Sequence, residues 1–302
     1  MESEMVEKAA DSGEAVVTLG PIIHNRHAVA HFENMGVRVI ETPAEATHTD
    51  TVIIRSHGVT RAVQQELETT GARVVDATCP FVAKIHRIVA EHSAAGATVL
   101  IAGNPDHPEV LGIRGHCTGD VHIFRTEEEL ENCFVHHPAL AEKSCIMVVQ
   151  TTFNKNVWKK CEEKAKKLCT NAEVFDTICD ATSKRQLEAE ELAQNSDLMV
   201  VVGGRHSSNT VKLFSICNRY CPTLHIESAQ ELERDYICQF RRIGVTAGAS
   251  TPSGIIKEVH QTMSEIIDNV ETTMKEQEVP ATQTESEVAQ ELPSVQEESN
   301  VV

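Results

Sequence analysis

Aromatic residues are scarce in this sequence, only 4% of 302 residues with one Trp and two Tyr, so a core has to be packed from Val, Ile, Leu and Ala. Long apolar runs are missing as well. None approaches the ~20 residues a membrane-spanning helix requires, and the first twenty residues have neither the basic start nor the apolar stretch of a secretory signal. Cations are also in deficit: 27 Lys and Arg stand against 45 Asp and Glu, a formal net charge of −18. A basic face for nucleic acid or anionic lipid is therefore not expected. The composition describes a soluble, cytoplasmic chain with no membrane partner and, in the part shown, no nucleic-acid partner.

Ten cysteines are present. In a long chain without a signal, at irregular spacings, they read as reduced thiols. Cys117, Cys133, Cys161 and Cys169 fall where a small apolar residue would serve, so core filling accounts for them. Cys79 and Cys179 differ, because each ends a predicted strand.

Short Val- and Ile-rich runs recur along the chain. They predict strands at Ala15–Leu19, Val37–Glu41, Thr51–Ser56, Arg73–Ala77, Thr98–Gly103, Val121–Arg125, Ile146–Gln150, Val174–Ile178, Leu198–Gly203, Thr223–Ile226 and Arg242–Thr246. Amphipathic helices lie between them, for example at Thr60–Thr70, Val82–Ala95, Asn156–Leu168, Lys184–Ala193 and Gly254–Ile267. Such alternation means βαβ units and parallel sheets, an α/β fold. Asp76-Ala77-Thr78-Cys79-Pro80 and Asp176-Thr177-Ile178-Cys179-Asp180 repeat about one hundred residues apart. Two or three small αβ domains fit that repeat better than one continuous sheet.

The two ends of the chain are unlike the rest. Residues 271–302 hold eight Glu against one Lys without periodic apolar pattern, and read as a disordered acidic tail or linker. Met1–Gly13 reads as the end of a helix with no strand before it, as if the first domain were N-terminally incomplete.

In open parallel sheets ligands bind beyond the carboxyl ends of the strands. The residues there include His24, His57, His107, Gln150-Thr151-Thr152, Ser207-Ser208-Asn209 and Ser250. Helix N-termini attract phosphate. Helix capping explains one Ser or Asn, but Ser207, Ser208 and Asn209 are three adjacent donors and one suffices for a cap. Three histidines at separate strand ends suggest convergence on one cleft. Zinc ranks lower for them because the short spacings of a zinc site are absent. Glu109, two residues past His107, is either a carboxylate complementing a helix dipole or a proton donor in a partly dry cleft. Two strand-end thiols, Cys79 and Cys179, could share an iron–sulfur cluster, which normally takes three or four protein ligands.

Taken together, the motifs GPIIHN, RSHGV, DATCP, HPEVLG, QTT, DTICDAT, SSNT and VTAGASTP, in that order over residues 14–270, resemble the 4-hydroxy-3-methylbut-2-enyl diphosphate reductase (LytB/IspH) family. The resemblance implies three similar αβ domains with parallel sheets around a central cleft: residues 1–79, 80–176 and 177–270, followed by the tail at 271–302. It implies reductive removal of the hydroxyl of an allylic diphosphate, giving isopentenyl and dimethylallyl diphosphate in the last step of the non-mevalonate isoprenoid pathway. It assigns Cys79 and Cys179 to a [4Fe–4S] cluster, and His24, His57, His107, Ser207, Ser208, Asn209 and Ser250 to the diphosphate. Thr151 and Glu109 fall near the substrate hydroxyl, Glu109 delivering the proton. A ferredoxin- or flavodoxin-like protein would supply electrons. Absent from this sequence is the family's opening strand with Gly-Phe-Cys-x-Gly-Val, which carries a third cluster cysteine. That absence raises a non-catalytic, diphosphate-binding remnant as the alternative. The tail also resembles a linker that in some relatives leads into RNA-binding repeats.

Overall fold

The computed structural model describes residues 2–11, 13–21 and 26–277, without the side chains of 2–4, 26–28 and 268–277. Parallel pairing organises every described strand into one of three sheets. The first sheet holds β1 (Ala15–Leu19), β2 (Arg38–Ile40), β3 (Asp50–Ile54) and β4 (Arg73–Asp76) in the order β2-β1-β3-β4. With it run α1 (Glu2–Asp11), α2 (Arg26–Asn34) and α3 (Arg61–Thr69).

The second unit begins with α4 (Pro80–Ala94). It continues through β5 (Thr98–Ala102), α5 (Pro108–Gly115), β6 (Val121–Phe124), α6 (Glu127–His136), β7 (Cys145–Val149), α7 (Lys155–Leu168) and β8 (Ala172–Val174). Its sheet has the order β6-β5-β7-β8. The third unit comprises α8 (Asp180–Gln194), β9 (Leu198–Val202), α9 (Ser208–Cys217), β10 (Thr223–Ile226), α10 (Arg234–Ile237), β11 (Ile243–Ala247) and α11 (Ser253–Gln277), with the sheet order β10-β9-β11. One connectivity is thus used three times. Among the described residues β11 has a neighbour on one edge only, whereas its equivalents β3 and β7 have one on each.

Central strands are buried along their whole length: Asp50–Ile54, Thr98–Ala102, Cys145–Val149 and Leu198–Val202. Helices cover both faces of each sheet, which is why these runs are predominantly apolar. In the second unit Leu100, Met147 and Val149 pack with Leu130, Phe134, Trp158 and Cys161 from α6 and α7. The alternate residues Val99, Ile101, Ile146 and Val148 meet Ile85 and Val89 of α4 and Val110 and Ile113 of α5. This is the two-residue period of a strand, read out on two faces.

Two sequence expectations shift. The strand expected at Val174–Ile178 ends at Val174, because the Thr177 hydroxyl takes over the ladder. It donates to the Val149 carbonyl and accepts from the Val149 N–H at 2.9 Å. At the C-terminus α11 runs to Gln277, into the segment expected as tail, with no Gly or Pro to stop it before Pro280. The remaining tail, 278–302, lies outside the described residues. No described helix is long and apolar enough to cross a membrane.

Candidate functional site

Repetition of one topology places chemistry at equivalent turns. His57, Thr152 and Ser250 are each the third residue past the end of β3, β7 and β11 respectively. The turn after β5 leads to His107, which caps α5, and the turn after β9 leads to Ser207, which precedes α9. Cys79 and Cys179 follow β4 and β8 and stand at the N-caps of α4 and α8. The backbone N–H of Cys79 donates to the Ser56 carbonyl and that of Cys179 to the Thr151 carbonyl, each at 3.0 Å. The two thiols therefore hang from the same backbone frame.

Capping separates structural from available groups. Thr60 and Asn154 spend their side chains on the first-turn N–H groups of α3 and α7. Cys79, Cys179 and Ser207 hold the same position and make no side-chain cap. Since a cap stabilises a helix by about 1 kcal/mol, these three helix ends forgo a stabilisation their neighbours use.

Between the first and second units the rings of His57 and His107 meet edge to face, with centroids 5.3 Å apart. His107 Nδ1 accepts the Glu109 N–H at 3.2 Å. A neutral imidazole that accepts at Nδ1 carries its proton on Nε2, so His107 has an N–H to donate away from the helix.

Glu109 is 2% exposed. Its Oε1 accepts the Thr151 backbone N–H at 2.6 Å and its Oε2 the Thr151 hydroxyl at 2.8 Å. Burial outweighs these bonds and pushes the carboxyl above the usual carboxylate range.

Between the second and third units, Ser208 Oγ lies 2.9 Å from Thr152 Oγ1 and accepts from Gln150 Nε2 at 3.3 Å. The next residue, Asn209, is 4% exposed, yet among the described residues both polar atoms of its side chain lack a hydrogen-bond partner. A buried, unpaired amide costs about 1–3 kcal/mol. Its place on the first turn of α9, where backbone N–H groups favour an anion, says what would relieve that cost. Gly203 (φ +146°) and Gly248 crowd the other side of this turn so closely that a Cβ on either would strike Thr210.

Thus His57 joins His107, Glu109 joins Thr151, and Ser208 joins the loop that carries Thr151. Ser207 is buried beside Ser208, while Ser250 is exposed in the loop after β11. His24 lies outside the described residues. Sequence reasoning named Thr152 among the polar turns without giving it a role, and passed over Lys212 and the stacked pair His86–His116. Thr152 stood inside the QTT motif and Lys212 one turn past Ser208, so both carried a signal; the histidine pair carried none.

The remaining thiols other than the exposed Cys238 are buried or half-buried filler. Burial pushes Cys117, Cys145, Cys161 and Cys217 up to about 11, so they stay protonated. Cys221 lies beyond the end of α9. For an iron–sulfur cluster, uncapped thiols at helix N-termini are suitable donors, because their sulfurs are not spent on the helix's own N–H groups. They fit in kind but number two, and no group of three His, Cys, Asp or Glu poised for a metal occurs among the described residues.

The family model described as LytB protein matches residues 3–264. The chain is 40% identical over 253 residues to the 4-hydroxy-3-methylbut-2-enyl diphosphate reductase of Clostridioides difficile (strain 630), covering 82% of this chain and 87% of that protein. It is 43% identical over 268 residues to the reductase of the same name from Geobacter sulfurreducens, covering 87% and 91%. Among solved structures, a reductase from Plasmodium falciparum superposes with a TM-score of 0.78 at 23% identity, over 89% of this chain and 82% of that one, and speaks to the fold. A solved (E)-4-hydroxy-3-methyl-but-2-enyl diphosphate reductase superposes with a TM-score of 0.62 at 34% identity, over 88% and 95%.

Proposed function

The chain belongs to the LytB protein family, and from that premise we propose that it reduces 4-hydroxy-3-methylbut-2-enyl diphosphate to isopentenyl and dimethylallyl diphosphate, the last step of the non-mevalonate pathway. The reaction consumes two electrons and two protons. The allylic hydroxyl leaves as water after taking one proton, and the other proton goes to the allyl carbon skeleton.

The observation that carries this reading is the buried Asn209 amide without a partner, at a helix N-terminus, beside Ser207 and Ser208. The acceptor oxygens of an anion would take the hydrogen bonds that its Nδ2–H donors leave unmade. His107 through Nε2–H, His57, Ser250 and His24 complete the proposed diphosphate site. Neutral donors and a helix end orient the group without fixed cations.

At the other end of the substrate, Glu109 and Thr151 form a proton relay. The Thr151 hydroxyl donates to Glu109 Oε2 at 2.8 Å; once Oε2 is protonated the bond reverses and Glu109 donates to Thr151 Oγ1. Thr151 then turns its own hydroxyl proton toward the leaving oxygen. Burial keeps Glu109 protonated at higher pH than a surface glutamate, as a general acid near neutrality requires.

Cys79 and Cys179 are the ligands this chain offers to the family's [4Fe–4S] cluster. When bound, such a cluster supplies electrons and a Lewis-acidic iron, which no side chain can. A ferredoxin- or flavodoxin-like protein is the proposed electron donor.

Anaerobic reconstitution with iron, sulfide and a chemical reductant, followed by mass spectrometry of the products, tests the proposal. Formation of both five-carbon diphosphates is expected. One rival is a diphosphate-binding protein without redox chemistry. Binding of the substrate with no turnover, from a chain that carries its cluster, would select the rival, and no binding at all would sink both.

A further inference from the structure

Lys212 is the cationic side chain that the site leaves unexplained. It follows Ser208 by four residues on α9, so the two share one helix face. That face packs on the loop after β7. Ser208 meets Thr152 and Gln150 there, and Lys212 Nζ sits 4.9 Å above the centre of the Phe153 ring. Phe153 is itself fixed, because its carbonyl accepts from Gln186 Nε2 at 2.9 Å. Between Thr152 and Gln150 lies Thr151, which holds both oxygens of Glu109. Lys212 is half-buried and has no ion-pair partner among the described residues, and the Phe153 ring it lies on is two residues along the loop from Thr151, the residue that holds Glu109.

We propose that Lys212 is a positioning residue for proton delivery: its ammonium, laid on the Phe153 ring, balances the carboxylate that remains on Glu109 after the proton has passed to the leaving hydroxyl. Lys212 itself gains and loses no proton in the step. The charge change is confined to Glu109, which goes from neutral to −1 while the leaving oxygen departs as water. A buried carboxylate without such a counter-charge would be a weaker acid.

The electrostatics agree with the geometry. Lys212 opposes the upward push that burial gives Glu109, and Glu109 opposes the downward push of burial on Lys212, whose pKa falls to about 8. Among the described residues the titratable groups around Glu109 include His107 on its own helix, His57 against His107, His86 of α4, which packs on Gly112 of α5, and Cys179, whose N–H donates to the Thr151 carbonyl. None of these brings a permanent positive charge. A cation–π seat is also a sensible choice, because it holds an ammonium in place without neutralising it.

This inference rests on the reading of Glu109 as the proton donor, and its test is chosen to separate the two. In the cofactor-free chain, infrared difference titration follows the Glu109 carboxyl band, assigned by its loss in Glu109→Gln. Lys212→Met should move the midpoint up by one pH unit or more, and Lys212→Arg should return it to the parental position. An unmoved midpoint in Lys212→Met overturns the proposal whether or not the chain turns over. In the loaded enzyme, Lys212→Met should lower the kcat plateau several-fold and shift its alkaline limb upward, with KM within twofold. A rise in KM of tenfold or more with the pH profile unmoved would instead make Lys212 a diphosphate contact and refute the positioning role. If Lys212→Met fails to fold, Lys212→Gln removes the same charge and is read the same way.

Discussion

His86 and His116 stack face to face, with ring centroids 4.1 Å apart and planes 20° from parallel. The pair wedges between α4 and α5 directly behind the His57 turn. A Cβ on Gly58 would strike the His86 ring, and His116 Nε2 lies 3.1 Å from the Val59 carbonyl. Two imidazoles at this distance cannot both carry charge. Burial, and secondly the His116 ring, lower His86 to about 4, with Asp76 opposing. Burial lowers His116 too.

A pH-dependent stability follows. His86 is neutral in the fold, with its pKa down from 6.5 in the unfolded chain to about 4. The stability it contributes is complete above pH 6.5 and is lost as pH falls toward 4. Denaturant midpoints should drop across that window in the parent and drop less in His86→Gln. Equal slopes in the two proteins would remove His86 as the cause.

Glu109→Gln should separate stability from catalysis. The raised pKa means that the folded state favours the neutral carboxyl, so the ionised glutamate destabilises the protein as pH rises past its unfolded value. Gln is neutral throughout and can still accept from Thr151. The variant should melt higher than the parent at pH 8 and no higher at pH 4. Turnover should fall by about 10²–10⁴, the usual worth of a general acid, with product affinity nearly intact. Parental turnover would take Glu109 out of the proton role.

Asn209→Leu offers the same contrast for the anion site. It replaces a buried amide lacking protein partners with an apolar group of similar size. The free chain should gain about 1 kcal/mol or more, since leaving such a group unpaired costs about 1–3 kcal/mol. Diphosphate affinity measured by calorimetry should fall by at least tenfold. A destabilised free variant would mean that the amide is already satisfied.

Thr177→Val keeps the shape and deletes the hydroxyl that bridges the N–H and carbonyl of Val149. Both backbone groups would be buried and unpaired. A loss of about 1–3 kcal/mol is expected, with faster amide exchange at Val149 and at Cys179, two residues on from Thr177. Unchanged exchange there would show that water or a shifted backbone replaces the hydroxyl.

Much of the fold was legible in the order of residues. Leu-Met-Val-Val-Val at 198–202 can hardly be anything but a buried strand, and Thr60, Thr126 and Asn154 mark helix starts by the caps they go on to make. Where reading failed, a side chain had taken a backbone's part: Val174–Ile178 has a strand's composition, but Thr177 replaces the ladder. The motifs His107-Pro108-Glu109, Gln150-Thr151-Thr152 and Ser207-Ser208-Asn209 were visible as polar turns after apolar runs. Their partners were not. Lys212 looks in sequence like one more cation on a solvated helix face, and His86 like an ordinary helix residue.

Local composition thus decided which segments become strands, where helices begin, and which turns carry polar groups, because backbone propensity and the two-residue apolar period act within a few residues. Only tertiary packing decided that Glu109 would meet Thr151, Ser208 meet Thr152, and His86 stack on His116. Those pairs lie 30 to 56 residues apart along the chain. Nothing in their own neighbourhoods specifies the distance between them, which is set by helices packing onto separate sheets and by the burial that follows.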